Sequence, residues 1–112
     1  MEQRYQVIIT PFARQGMKEI LEYLAEEVSD EVAEKVRRGL MEAMQGLTEM
    51  PTRHSIVGSI SDEQTIYRRI LKWSYRIIYT IKEQALTVIV VDIAHSRRNP
   101  RRIEDLLGGD KS

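Results

Sequence analysis

The chain has 112 residues, of which 42% are hydrophobic and 30% charged, values typical of one soluble globular domain. It contains no cysteine, which excludes disulfides, thiolate metal sites and cysteine nucleophiles. No apolar run approaches the roughly 20 residues that span a bilayer, and the N-terminal residues lack the layout of a signal peptide. We therefore expect a cytoplasmic protein without a membrane partner.

The formal net charge of +0 conceals two halves of opposite charge. Residues 1–52 carry six Lys or Arg against ten Asp or Glu, whereas residues 53–112 carry eleven against seven. A basic half favours an anionic partner such as nucleic acid. Solvated strands and turns rich in Lys and Arg explain the same composition, so both interpretations stay open.

The N-terminal half predicts one strand followed by two helices. Residues 4–10 alternate in part and predict a strand that is substantially buried on both faces. A helix is predicted over about residues 11–28, because Thr10 can cap it and Pro11 at its first position loses no needed N–H. A second helix is predicted over about residues 30–50, ended by Pro51. The short link between the helices predicts an antiparallel hairpin.

The C-terminal half predicts three strands, over about residues 66–71, 75–81 and 86–95, which are rich in Ile, Val, Tyr and Thr. The short connections between them allow only antiparallel neighbours, which predicts a meander. The last strand is apolar on both faces apart from Asp92, which predicts burial on both faces or coverage by a partner.

Two further segments complete the pattern. The loop that precedes the meander has room for a short strand within Ser55–Ile60, and residues 100–107 predict a last turn or short helix. The order β-α-α-β-β-β predicts a single α+β domain over residues 1–112. In this fold class an antiparallel meander sheet carries the helical hairpin on one face.

This pattern resembles the RelE/ParE superfamily of toxins from type II toxin–antitoxin systems, which are associated with growth arrest and plasmid stabilisation. The stretches that carry the resemblance are ITPFARQGMKEILEYLAEE, LTEMP, YRIIYTI and IAHSRRNP, and the resemblance as a whole covers about residues 4–107. The resemblance implies a small antitoxin partner that wraps the toxin by groove filling or strand addition. Operator DNA would be bound only indirectly, through the antitoxin. Neither a cofactor nor a metal is expected.

The resemblance implies two alternative targets. RelE-type members cut ribosome-bound mRNA, and the matching positions imply catalytic roles for Arg76, His95 and Arg97, with the arginines holding phosphate and His95 as the acid/base group. The downstream tyrosine of that type is replaced here by Ile103. This departure favours the ParE type, which inhibits DNA gyrase without a recognised ribonuclease site. A degenerate member that only pairs with an antitoxin is the third alternative.

Other cations of the basic half are candidates for binding the target or a nucleic acid. These residues are Arg68, Arg69, Lys72, Arg98, Arg101 and Arg102. Each candidate also has a structural interpretation: Arg76 can pair with Asp92 in the sheet, His95 can be an ordinary hydrogen-bonding residue, and the arginines can keep an edge soluble. Tyr75 and Tyr79 are expected to pack within the sheet.

Overall fold

The computed structural model describes residues 4–97, and within that range it contains a five-stranded sheet and two α-helices. The elements are β1 (Gln6–Ile9), α1 (Pro11–Glu27), α2 (Asp30–Gln45), β2 (Ser55–Ile56), β3 (Tyr67–Lys72), β4 (Tyr75–Lys82) and β5 (Thr87–His95). The predicted α+β class is confirmed. The turn or short helix predicted over residues 100–107 lies outside the described residues. Within residues 4–97, neither helix has the length and hydrophobicity needed to cross a bilayer.

The sheet has the strand order β1-β5-β4-β3-β2. Strands β3, β4 and β5 form the predicted antiparallel meander, and β2 pairs antiparallel with β3. Strand β1 pairs parallel with β5, from Gln6 opposite Thr87 to Ile9 opposite Val90, so the sheet is mixed. The apolar character of β5 therefore has a simple cause, since over Thr87–Val90 this strand lies in the interior of the sheet. Strand addition at that part of β5 is excluded, because both of its edges are already paired.

Both helices begin at a residue whose side chain caps them, and the first of these caps, Thr10, is the predicted one. The Ala13 N–H donates to Thr10 Oγ1 at 3.1 Å, and the Val32 N–H donates to Ser29 Oγ at 3.1 Å. Helix α2 ends at Gln45, however, and a 3-10 turn over Gly46–Thr48 replaces the last part of the helix predicted to residue 50. Glycine is a weak helix former, and right-handed helical geometry is disfavoured for Met50 because it precedes Pro51, which shortens the helix from its C-terminal end.

The helical hairpin packs on one face of the sheet and forms the main core there. Its buried members are Ala13, Leu24, Val36, Leu40, Met44 and Leu47 from the helical half, with Ile77, Tyr79, Val88, Val90 and Ile93 from the sheet. A smaller cluster on the opposite face joins Tyr67, Ile78 and Val91. Strand β1 is half-buried on one face and exposed on the other, where Ile8 is 45% exposed, so the prediction of burial on both faces was wrong for this edge strand.

A β-bulge interrupts the pairing of β4 with β5. Ile78 lies opposite Asp92, but its neighbour Tyr79 lies opposite Val90, so Val91 is an extra residue in β5. Beyond an extra residue, the alternation of side chains shifts to the other face. Simple alternation would place Ile93 on the same face as Val91, whereas the bulge turns Ile93 to the helical face.

Helix α1 approaches β5 very closely at Gly16. A Cβ at this position would lie under 3.0 Å from the carbonyl oxygen of Ile93 and 3.3 Å from its carbonyl carbon. Only a residue without a side chain allows this contact between a helix and the backbone of a strand. Gly16 therefore sets the distance between α1 and the C-terminal half of β5.

Candidate functional site

The candidate site is the end of the β4–β5 pair, where the strands bring Arg76 and His95 next to each other along the sheet. Arg76 lies opposite Ala94, and the preceding Tyr75 lies opposite His95. Successive side chains of a strand point to opposite faces. Arg76 therefore lies on the face away from the helices, whereas His95 lies on the helical face. The two candidate catalytic groups do not converge on one face of the sheet.

Arg76 is buried against a carboxylate. Its Nη2 lies 3.4 Å from Oδ2 of Asp92, and the two residues are only 4% and 3% exposed. The bulge at Val91 is what turns Asp92 to the same face as Arg76. A charge that is removed from water requires a partner of opposite sign, and this pair meets that requirement. The pairing of Arg76 with Asp92 that the sequence left open is thus present.

His95 is half-buried, and both its ring and one of its nitrogens have partners. The ring meets the Tyr75 ring edge to face, with centroids 5.7 Å apart and planes at 80°. The backbone N–H of Arg97 donates to His95 Nδ1 at 3.1 Å. This hydrogen bond assigns the proton of the neutral imidazole to Nε2, because Nδ1 acts as the acceptor. The lone pair that a general base would use is therefore engaged by the backbone, and Nε2 is left as a donor.

The other candidate cations are spread over the surface of the sheet. Arg68 Nη1 donates to the carbonyls of Thr52 at 3.0 Å and His54 at 2.8 Å, which ties β3 to the segment after α2. Arg69 is exposed on β3, and Lys72 Nζ lies 4.7 Å from the centre of the Trp73 ring. Arg97 is exposed just past β5. Arg98, Arg101 and Arg102 lie outside the described residues.

The far end of β4 has a structural role. The buried Tyr79 hydroxyl donates to the carbonyl oxygen of Pro51, and burial raises the pKa of Tyr79 to about 12 despite the nearby Arg53 and Arg68. His54 packs edge to face on Tyr79, and burial lowers its pKa, with the same two cations adding to the effect. Tyr79 is thus a packing residue, as predicted.

An apolar groove lies beside the candidate site and was not found from the sequence. We call it the α1–β5 groove; it has a volume of about 360 Å³ and lies between α1, from Phe12 to Tyr23, and the end of β5. Its main lining residues are Phe12, Ile20, Tyr23, Tyr75, Ile93 and His95, with Gln15 and Glu19 from the polar side of α1. The groove depends on the close approach at Gly16 and on the bulge at Val91. The glycine inside α1 was its only sequence signal.

Known proteins share both the sequence pattern and the fold of this chain. The family model described as the ParE toxin of the type II toxin-antitoxin system, parDE, matches residues 7–100. The chain belongs to the ParE toxin family. This membership confirms the resemblance to the RelE/ParE superfamily, and no curated protein matches the chain.

Solved structures of both branches of the superfamily share the ParE-family fold seen here. A chain of the chromosomal ParDE toxin–antitoxin system from P. aeruginosa matches with a TM-score of 0.66 and 13% identity, over 82% of this chain and 96% of that chain. A chain of the archaeal RelE–RelB complex from Pyrococcus horikoshii matches with a TM-score of 0.59 and 13% identity, over 87% and 100%. A chain of the RelBE2 toxin–antitoxin complex from Mycobacterium tuberculosis matches with a TM-score of 0.54 and 20% identity, over 83% of this chain and 92% of that chain. At these identities the likeness establishes the fold.

Proposed function

We propose that this ParE-family toxin arrests growth by binding DNA gyrase, without cutting RNA, and that a cognate antitoxin neutralises it. Membership of the family described by the parDE system supports the assignment as a toxin. The solved relatives from Pyrococcus horikoshii and Mycobacterium tuberculosis are complexes of a toxin with its antitoxin, which supports an antitoxin partner for this chain.

The observation that carries the choice of target is the separation of the candidate catalytic groups. Cleavage by the ribose 2′-hydroxyl needs a proton acceptor and cations that surround one phosphate within a few ångströms. In this chain Arg76 is buried against Asp92 on one face of the sheet, and His95 lies on the other face. The Nδ1 atom of His95 also accepts the Arg97 N–H. These contacts favour a surface that binds a protein over one that cleaves RNA.

The test uses the purified chain in two parallel assays. We expect it to block supercoiling of relaxed plasmid by purified gyrase, and to leave mRNA intact in a translating extract whose RNA 5′ ends are mapped. The variant His95→Gln should inhibit gyrase within about twofold of the wild type, since binding without RNA cleavage requires no acid or base from the imidazole. Arg97→Ala tests the exposed arginine at the same sheet end, and Arg14→Ala, an exposed arginine on α1, serves as its matched control.

Two outcomes contradict the proposal. New 5′ ends within reading frames that disappear in His95→Gln would establish the endoribonuclease instead. Full gyrase activity and intact mRNA, in the presence of a folded chain that does not arrest growth when it is expressed, would identify a degenerate member that only pairs with an antitoxin.

A further inference from the structure

We propose that the tip of the β3–β4 hairpin anchors this toxin to gyrase, with the Trp73 indole entering an apolar pocket of gyrase that carboxylates surround. The inference rests on the proposed function, because it takes gyrase as the protein target. It is carried by the backbone of Trp73, by the contacts that hold its ring, and by the charges around the tip.

Trp73 occupies a backbone position that suits a much smaller residue. Lys72 pairs with Tyr75, so Trp73 and Ser74 alone connect β3 to β4. Two-residue loops favour glycine, asparagine or aspartate where φ is positive, and φ of Trp73 is 54°. A bulky side chain on a left-handed backbone costs free energy, and residues under such strain cluster at functional sites. Because the indole stays 52% exposed, burial within this chain offsets only part of that cost.

The exposed indole is nevertheless held in one place. A Cβ at Gly39 would lie 2.5 Å from Cζ3 of Trp73, so the bare backbone of α2 forms a seat for one side of the ring. Lys72 Nζ lies 4.7 Å from the ring centre, a distance at which a cation is attracted to the ring. A side chain that is ordered before binding loses little entropy in the complex. Tryptophan is also enriched among the few residues that dominate the affinity of protein interfaces.

Cations border the exposed ring on the strand side of the tip. Lys72 precedes the indole in the chain. The Ser96 N–H donates to the Ser74 carbonyl oxygen at 2.7 Å, which places the exposed Arg97 beside the tip. The sequence has no Asp or Glu over residues 67–82. The strands therefore present an apolar ring among positive charges.

The carboxylates around the tip do not cancel this charge. Asp92 of β5 is buried in its ion pair. On α2, the exposed Lys35 and Glu42 lie about one turn on either side of Gly39 and balance each other. Glu19 belongs to the α1 wall of the α1–β5 groove. An apolar pocket with carboxylates at its rim is thus the partner surface that complements the tip.

Leu86 provides a matched control for Trp73. It is also an exposed apolar residue with positive φ, 48°, but it lies between β4 and β5 at the opposite end of the sheet. Trp73→Gly and Leu86→Gly each relieve a left-handed backbone and remove an exposed apolar side chain. The purified full-length chains are compared as inhibitors of supercoiling by gyrase, and circular dichroism in urea shows that each is folded.

We expect half-inhibition by Trp73→Gly to require about 30-fold more protein or higher, the loss typical of an anchor residue in an interface. Leu86→Gly should inhibit within about twofold of the wild type. Arg97→Glu should weaken inhibition more than Arg97→Ala, because a carboxylate at this position is repelled by those of the partner.

A direct measurement needs no variant of the tip. Trp73 is the single tryptophan of the chain, so 5-hydroxytryptophan enters the protein at this position alone and is excited apart from ordinary tryptophan in gyrase. In the complex with gyrase, acrylamide should quench this fluorophore only as weakly as a buried indole, because an interface anchor is removed from water.

The outcomes separate the tip from the target. Equal inhibition by the wild type and Trp73→Gly, equal losses in Trp73→Gly and Leu86→Gly, or unchanged quenching in a complex that still forms would each overturn the role of the tip and leave the proposed function intact. Equal effects of Arg97→Glu and Arg97→Ala would overturn the acidic partner surface. A wild-type chain that does not block supercoiling would refute the proposed function, and with it gyrase as the partner of the tip.

Discussion

Replacing Gly16 by alanine is the sharpest test of how α1 is placed on the sheet. The new Cβ would lie under 3.0 Å from the Ile93 carbonyl oxygen, which belongs to a paired strand and cannot swing away. The helix must therefore move off β5. Overpacking of this kind costs about 1–3 kcal/mol, and contact with a fixed backbone atom belongs at the upper end of that range. The better helix propensity of alanine stabilises the helix by about 1 kcal/mol relative to glycine. The net expected loss is about 2 kcal/mol.

Gly39→Ala is the matched control, because it places the same methyl group in the second helix. A Cβ at Gly39 would lie 2.5 Å from Cζ3 of Trp73, but this indole is 52% exposed at the tip of the β3–β4 hairpin and can rotate into solvent. The helix gain and the lost indole contact then nearly cancel, and we expect a change within about 1 kcal/mol. Trp73 is the single tryptophan of the chain, so its fluorescence reports this movement directly.

Urea unfolding and thermal unfolding, each followed by circular dichroism, measure the stability of both variants. A loss of about 2 kcal/mol corresponds to a fall in melting temperature of about 8–16 °C for a domain of this size. Gly16→Ala should show that fall with unchanged tryptophan emission in the folded state, and Gly39→Ala should show a red shift with little change in stability. If Gly16→Ala were as stable as the wild type, or less affected than Gly39→Ala, the close approach of α1 to β5 would be refuted.

Two further predictions concern buried polar groups. Arg76→Ala should lower the free energy of unfolding by about 3–5 kcal/mol, because it leaves the Asp92 carboxylate buried without this partner. The double variant Arg76→Met with Asp92→Leu should recover most of that loss, because it removes both charges. A double variant that urea unfolds more easily than Arg76→Ala would contradict this reasoning. The pKa of Tyr79 is raised to about 12 in the folded state, from about 10 when unfolded, so the unfolded chain releases this proton first and stability should fall as pH rises from 10 to 12. This fall in the free energy of unfolding, up to about 3 kcal/mol, should be absent from Tyr79→Phe. Parallel curves of unfolding free energy against pH for the wild type and Tyr79→Phe would contradict the prediction.

The elements could be predicted from the sequence because their signals are local. Thr10 and Ser29 cap helices whose apolar residues recur at helical spacing, and short links between strands require antiparallel neighbours. The position of β1 has no local signal, since its partner in β5 lies about 80 residues further along the chain. Helix α2 was predicted too long because the stripe of apolar residues continues into the 3-10 turn after Gln45.

The candidate site was predicted less well, and the bulge is the physical reason. The run from Val88 to Val91 consists of β-branched residues that suit either face of a strand, so nothing in the sequence identifies Val91 as the extra residue. In the structure Arg76, His95 and Arg97 lie near one end of the β4–β5 pair. The face that a β5 side chain occupies depends on how many residues precede it in the strand, and a single extra residue moves every later side chain to the other face.

The same bulge links the stability of this sheet end to its chemistry. By turning Asp92 to the face of Arg76 it provides the buried guanidinium with a carboxylate, and by turning Ile93 and His95 to the helical face it supplies one wall of the α1–β5 groove. An arginine held in a buried ion pair is costly to redirect to a phosphate, because its carboxylate would lose its partner. A groove, in contrast, needs no such rearrangement to accept apolar side chains. The local geometry of β5 thus supports the proposal of protein recognition at this end of the sheet.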